Sequence, residues 1–482
     1  MKILSSLILS IITLPVMAQG IVLNDEELRT DLNWLDQQGV IPISTSTWPL
    51  SGDEIKRALN HAKILNNTQQ RVIDSVKAVL NKENAAVKFD LSIASDQAYS
   101  PQQFGTNAKA QYIASAELNA GQAHWDARLK VNAEKDQMID HGHDINVEGS
   151  YLAGKLWNQW LIAGQIPTYW GPGHEGSLIR GDASRPIYGL TMQRAEQKAF
   201  ETKWLSWIGD WQYQIFAGRL DDYEAVPNAN LLGLRLTSRP LPYLEIGASR
   251  VLQIDGDGQP DSAKAYWNAF IGKDNECDSA GCVGEGNASN QIAGLDARLN
   301  LQQWLNAPVS VYGQFVGEDE AGFMPAKKMY LAGIDFSSQI KGMPYQLYGE
   351  WVDTRTNGGV QGISYNHHIY TDGYYQHGFP LGHSLGGDGE MYSIGGNIRV
   401  DLMNRLSGRA LVATVNQSNL SINEAFSNKD EIKALDLTWT HYLKPTLPLE
   451  IKAWVSDSDL HGRDTGASVG IEIPLDNILF KH

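Results

Sequence analysis

"WDARLKVNA", residues 125–133, decides the fold. Trp125, Ala127, Leu129, Val131 and Ala133 share one face of an extended chain, and Asp126, Arg128, Lys130 and Asn132 share the other. The alternation returns in YQLYGEW (345–351), LEIKAWV (449–455), LLGLRLT (231–237) and IRVDL (398–402). Roughly eighteen such segments, each of about ten residues, run from about residue 87 to the end. No helical run between them is long enough for a crossover unit. A half-buried soluble sheet also alternates, but the number and spacing point to a transmembrane antiparallel β-barrel of about 18 strands. One face meets lipid, the other lines the lumen, and closure pairs every backbone group.

Loop lengths carry a second signal. Short connectors at 119–121, 155–158, 239–242, 341–344 and 444–448 alternate with long ones at 167–196, 254–290, 353–390, 417–431 and 457–465. Outer-membrane barrels have short periplasmic turns and long external loops. An even strand number puts both barrel termini on the periplasmic side. Trp157, Trp160, Trp204, Trp207, Trp211 and Tyr243 lie beside the short turns, as an interfacial girdle does. Ordinary hairpin aromatics would occupy the same positions.

Before the strands the period is helical. MKILSSLILSIITLPVMAQG opens with Lys2, an apolar stretch and Val16-Met17-Ala18, which reads as a signal peptide over residues 1–18. Residues 19–86 form a helical unit, expected to plug the periplasmic mouth, and residues 87–482 form the barrel. Asn24 and Asp25 are cap candidates for the first helix, with Leu28, Leu32 and Leu35 at helical spacing; a second helix starts from Ser51, and a third follows in TQQRVIDSVKAVLNKEN. Lumen residues such as Arg128 and Lys130 are expected to pair with the acidic first helix. Beyond the signal no run of about 18 apolar residues occurs, so no transmembrane helix is expected.

The formal charge of −16 argues against a nucleic-acid partner or a basic membrane-binding face. The two cysteines, Cys277 and Cys282 in CDSAGC, read in an exported chain as one loop-closing disulfide. The other reading is a metal site, but no second thiol pair or nearby histidine completes one.

Motifs for chemistry are sparse. His174-Glu175 begins like HExxH, but Leu178 stands at the second ligand position. Asp255, Asp257, Gln259 and Asp261 alternate like the opening of a calcium loop. Pro260 replaces the sixth-position glycine there, and Tyr266 the closing glutamate, so an acidic turn is the other reading. No other cofactor is expected. YNHHIYTDGYYQHG (365–378) clusters His367, His368, Asp372, Tyr374 and His377. It suits carbohydrate recognition, aromatic faces on sugar rings and polar side chains on hydroxyls, or else a solvated loop. No GxSxG elbow, P-loop or dinucleotide fingerprint occurs.

IAGQIPTYWGPGHEGSLIRGDASRPI, residues 162–187, resembles the signature of the Wzi family of capsule assembly outer-membrane proteins. The match is specific in Trp170-Gly171-Pro172-Gly173, Ser177-Leu178 and Arg185-Pro186. LRTDLNWLDQQGVIPISTSTWPLS resembles that family's helical start, and LTWTHYLKPTLPLEIKAWVSDSD is compatible with its last hairpins. The resemblance covers essentially the mature chain. It implies an eighteen-stranded barrel with a periplasmic helical plug, a surface lectin for capsular polysaccharide, and no catalysis.

Within the signature, Tyr169, Trp170, His174 and Glu175 are expected over the barrel mouth, either touching glycan or packing inward to close the lumen. Arg180, Arg185 and Arg194 would suit an acidic glycan, and a neutral one fits as well. Two other functions stay open, a sugar-diffusion channel and an outer-membrane hydrolase.

Overall fold

The computed structural model describes residues 20–475 apart from 107, 141–142, 222, 272–288, 319, 322–323 and 326. The signal segment and the Cys277–Cys282 pair lie outside the described residues. Eighteen antiparallel strands close into one barrel. They are β1 (Val87–Ala94), β2 (Ala110–Gln122), β3 (Trp125–Gln137), β4 (Tyr151–Leu156), β5 (Gln159–Gln165) and β6 (Tyr188–Arg194). Next come β7 (Asp210–Arg219), β8 (Asn230–Leu241), β9 (Leu244–Ile254), β10 (Ser289–Asn300), β11 (Val309–Glu318) and β12 (Lys328–Ile340). The last are β13 (Met343–Asp353), β14 (Glu390–Arg399), β15 (Asn404–Val415), β16 (Asp430–Lys444), β17 (Leu447–Ser458) and β18 (Gly462–Pro474). A two-residue segment, Ile145–Asn146, extends β4 along β3. The seam is β18 on β1, from Ser468 opposite Ala94 to Pro474 opposite Lys88.

The barrel is inside out relative to a soluble sheet. On β3, Leu129 and Val131 are 52% and 41% exposed, whereas Arg128 and Asn132 are 5% and 7%. The same inversion sets exposed Leu236 beside buried Arg235, and exposed Leu347 beside buried Gln346. Apolar residues on the outside and charges within is the pattern lipid requires.

Connector parity holds in the structure, with local corrections. Residues 119–121 lie within β2, and the turn falls two residues later. The connection 195–209 sits on the short-turn side although it is long. Trp157 is 85% exposed as a girdle residue would be. Trp160 instead points inward at 1% exposure and donates to Asp53. Trp211 stacks on Phe200 and carries the Arg194 guanidinium 3.8 Å from its ring centroid.

Three helices occupy the lumen at the short-turn end. Asp25 caps α1 (Glu26–Gln37), Ser51 caps α2 (Gly52–Asn60) and Asn66 caps α3 (Asn67–Glu83). Leu28, Leu32, Leu35, Val72, Val76 and Val79 make their shared core. The outer surfaces are tied to the wall by charge. Arg399 reaches Glu27 and, at 3.0 Å, Asp31; Arg405 reaches Glu26; Arg239 meets Asp36 at 2.8 Å. Arg128 and Lys130 do not serve the first helix as expected. Arg128 pairs with Glu83 of α3 and with Glu117, and Lys130 with Asp90 across the wall. Arg128 on β3 meets the end of α3, whereas the acids of α1 meet Arg399 on β14 and Arg405 on β15.

Candidate functional site: the external loop face

The signature stretch leaves β5 and turns down into the lumen. Tyr169–Trp170 forms a two-stranded ribbon with Thr47–Trp48, from the segment between α1 and α2. Gly171 N donates to Ser46 O at 2.8 Å, and Arg235 holds the same segment through Ser46 and Thr47 while pairing with Asp296. Loop and plug therefore meet inside the barrel.

Each sequence-selected residue has a definite place. Trp170 is 1% exposed, its indole N–H donates to Gln214, and its ring lies over Gly233. A Cβ at Gly233 would stand 2.6 Å from that ring. Tyr169 is buried, its hydroxyl donating to the carbonyls of Gly173 and Gly176. His174 stacks on Tyr348 at 4.3 Å and donates to Asp335. Glu175 accepts from Tyr348 and pairs with Arg409 at 2.6 Å. These four close the lumen, and none presents a free ring or carboxylate to the outside.

Arg180 is buried against Phe216 and Tyr374, and that burial draws its pKa below the ordinary arginine value. Tyr374 joins the same package, its hydroxyl donating to Ile179 O at 2.8 Å. Arg185 is held by Glu134 at 2.6 Å and Glu148 at 3.0 Å. Arg194 belongs to β6, at the short-turn end, and bonds the carbonyls of Trp211 and Lys198. Of the three arginines considered for an acidic glycan, Arg185 and Arg194 are engaged within the protein, and Arg180 is buried without a carboxylate partner among the described residues.

Within 365–378, Tyr365 and Tyr374 pack on the signature through Leu178 O and Ile179 O, while His367, His368 and Asp372 have other partners. His367 Nδ1 accepts from Ile369 N and Tyr370 N, and its ring lies 4.4 Å from that of His368. Asp372 accepts from Ala225 N, tying this loop to the one after β7. Asp255 accepts from Asn230 and Tyr266, and Asp257 from Asn228. Gln259 lies in a turn, and Asp261 precedes Ser262, which caps α4 (Ala263–Phe270) where the second half of a calcium loop would run. Among the described residues, no three His, Cys, Asp or Glu side chains converge to hold a metal ion.

What stays open lies outside this package. A groove of about 280 Å³ runs between six external connections. Tyr99 supplies a half-buried aromatic ring, with Phe379 and Phe426 buried beneath it as an apolar floor; Gln97, Gln102 and Ser384 supply amides and a hydroxyl. Glu424 and His461 stand in the lining as well. Tyr99 is fixed edge-on between Phe426 (5.4 Å) and His461 (4.6 Å), with its hydroxyl hydrogen-bonded to Asp430. Behind the groove, Lys109 donates to Gln102 and Ala183 O and sits 4.7 Å from the Phe379 ring centroid. Burial pulls its pKa down to about 8. The groove was not legible in the sequence because its residues come from six separate loops with no shared period. The one local hint was Tyr99 within the glutamine-rich DQAYSPQQ.

A barrel with charged walls inside, an apolar belt outside, helices and a loop packed into its lumen and an aromatic groove among its long loops is built as an outer-membrane surface protein. The family described as Capsule assembly protein Wzi matches over residues 80–468, and this chain belongs to that family. A Klebsiella pneumoniae protein described as an uncharacterized 55.8 kDa protein in the cps region is 43% identical over 467 residues, 95% of this chain and 90% of that one. A solved Escherichia coli structure is 42% identical, with a TM-score of 0.88, over 94% of this chain and 99% of its own. That protein is described as Wzi, an outer-membrane protein involved in group 1 capsule assembly and a carbohydrate-binding β-barrel. The short-turn end and its helices are accordingly periplasmic, and the long loops extracellular.

Proposed function

We propose that this protein is a non-catalytic, lectin-like anchor that attaches or organises capsular polysaccharide at the outer surface of the outer membrane. The observation that carries the reading is the division of the molecule. The lumen is filled from both ends, whereas the groove lined by Tyr99, Phe379 and Phe426 opens outward. Aromatic faces flanked by amides and hydroxyls fit sugar rings and their hydroxyls. The exposed apolar belt meets outer-membrane lipid. The carbohydrate binding described for the Escherichia coli relative supports the same reading.

The test is binding of capsular polysaccharide, purified from the source cell, to the full-length protein in lipid nanodiscs. Saturable binding without glycan cleavage, from a protein that forms no steady pores in a planar bilayer, is the expected result. Steady open pores with no polysaccharide binding would replace this reading with a diffusion channel. Glycan cleavage abolished by one side-chain substitution would replace it with a hydrolase.

A further inference from the structure

Charge is distributed unevenly along the chain. The nine connections on the long-loop side carry 22 Asp and Glu against 8 Lys and Arg, a net −14 out of the chain's −16. Along the chain, these connections hold most of the excess negative charge, with Glu175, Asp182 and Asp388 among them buried. The groove follows the same rule. Its lining includes no lysine or arginine, and its one carboxylate, Glu424, is exposed. Asp96 and Asp459 belong to two of the same connections. Lys109, behind the groove, is engaged by Gln102, Ala183 O and the Phe379 ring. Arg180, Arg185 and Arg194 are buried or engaged as described above, so no guanidinium of the signature reaches the groove.

A glycan carboxylate entering this groove would lose water, find no cationic partner in the lining and meet a negative field. An uncharged pyranose would bury its C–H face on the half-buried Tyr99 ring and leave its hydroxyls to Gln97, Gln102 and Ser384. The groove's volume lies near the lower end of small-ligand sites, about 300 Å³. It accommodates a short segment of a chain, so it can select the neutral residues of a polymer whose acidic residues stay in solvent.

Resting on the polysaccharide-binding reading above, we infer that the groove between Tyr99, Phe379 and Phe426 recognises uncharged hexopyranose units, and that the acidic loop face disfavours uronic acids there. Recognition is by stacking and neutral hydrogen bonds. Added salt consequently strengthens or leaves unchanged the binding of an acidic polymer, by screening repulsion. A site built on arginine–carboxylate pairs responds with the opposite sign.

The experiment uses the full-length protein in nanodiscs and two forms of a uronic-acid-containing capsular polysaccharide, native and with its carboxyl groups chemically reduced to alcohols, alongside the source-cell polysaccharide. The expected result is equal or tighter binding of the reduced polymer, with the difference largest at low salt. Tyr99→Ala should weaken binding of both forms by about tenfold or more, as loss of an aromatic anchor does. Gln97→Ala, at the groove edge, should weaken both by a smaller factor; heat-modifiable gel mobility checks that each variant is folded. A tenfold loss of affinity on carboxyl reduction overturns the inference while leaving polysaccharide binding intact. Unchanged binding in both folded variants overturns the groove as the site. Failure of the wild type to bind any of these polymers overturns the underlying function instead.

Discussion

The two ends of the lumen are closed by different chemistry. At the periplasmic end, helices are tied to the wall by ion pairs: Arg399 to Glu27 and Asp31, Arg405 to Glu26, Arg239 to Asp36, Arg128 to Glu83. At the external end an apolar, tyrosine-rich cluster makes up most of the seal, and the signature loop adds the ion pairs Glu175–Arg409 and Arg185–Glu134. Trp170, Leu178, Ile179, Tyr365, Tyr370 and Tyr374 belong to one large buried cluster, and the tyrosine hydroxyls satisfy loop carbonyls. The difference follows from the chain each end had to bury. Capped helices satisfy their own backbone, so only their side chains need partners. Loops carry unpaired carbonyls, and a tyrosine brings both apolar area and a hydroxyl donor to them.

The largest effect is expected at the external seal. Trp170→Ala removes a ring packed against Gly233 and leaves a cavity, at a cost of about 3–5 kcal/mol. Urea unfolding of the protein in lipid vesicles measures it, and solute leakage should rise in parallel. A loss under about 1 kcal/mol would mean that this ring is not part of the seal.

At the ionic end, Arg399→Ala deletes charge-assisted bonds to Glu27 and Asp31, for about 1.5–3 kcal/mol. A double-mutant cycle with Asp31→Ala should show coupling. High salt should narrow the gap between wild type and Arg399→Ala more than the gap for Trp170→Ala. Equal salt responses at the two ends would erase the distinction drawn between them.

The smallest effect is local and depends on pH. His383 lies in the external package, where Gly176 approaches so closely that a Cβ would stand 2.5 Å from the imidazole. Its Nδ1 accepts from Leu385 N, and burial alone pushes its pKa down from 6.5 to about 3. The unfolded loop binds the proton more readily than the folded one. The contribution is therefore complete above about pH 6.5 and is lost progressively as pH falls towards about 3. Hydrogen exchange in residues 174–181 and 381–387 should accelerate over that window in the wild type, and the acceleration should be smaller in His383→Gln. Exchange flat across the window would contradict the burial of a neutral imidazole.

The same contrast explains what the sequence made legible. Strand alternation is a property of neighbours, so WDARLKVNA already shows which side of β3 meets lipid. Loop-length parity likewise assigns the two sides without any contact information. The fate of the signature loop was not readable in this way. Trp170 is held by Gln214 and Gly233, which lie 44 and 63 positions away on two other strands, and nothing in PTYWGPGHEGSLI says whether its aromatics face glycan or lumen. Arg180 and Arg185 look like glycan ligands until Tyr374 and the pair Glu134 and Glu148 are brought beside them. Trp160 misled for a related reason: a tryptophan beside a turn looks the same whether its ring meets lipid or, as here, Asp53 of the plug.

The central claim is that sealing and glycan holding reside at different places in one barrel. It is tested most directly by measuring retained surface polysaccharide and small-solute leakage in the same cells, for two variants. Deletion of residues 20–83 should leave a barrel that inserts and leaks yet still retains polysaccharide, while Tyr99→Ala should shed polysaccharide without leaking. Loss of retention on plug deletion with normal retention in Tyr99→Ala, both proteins being folded and present at wild-type levels, would contradict the account.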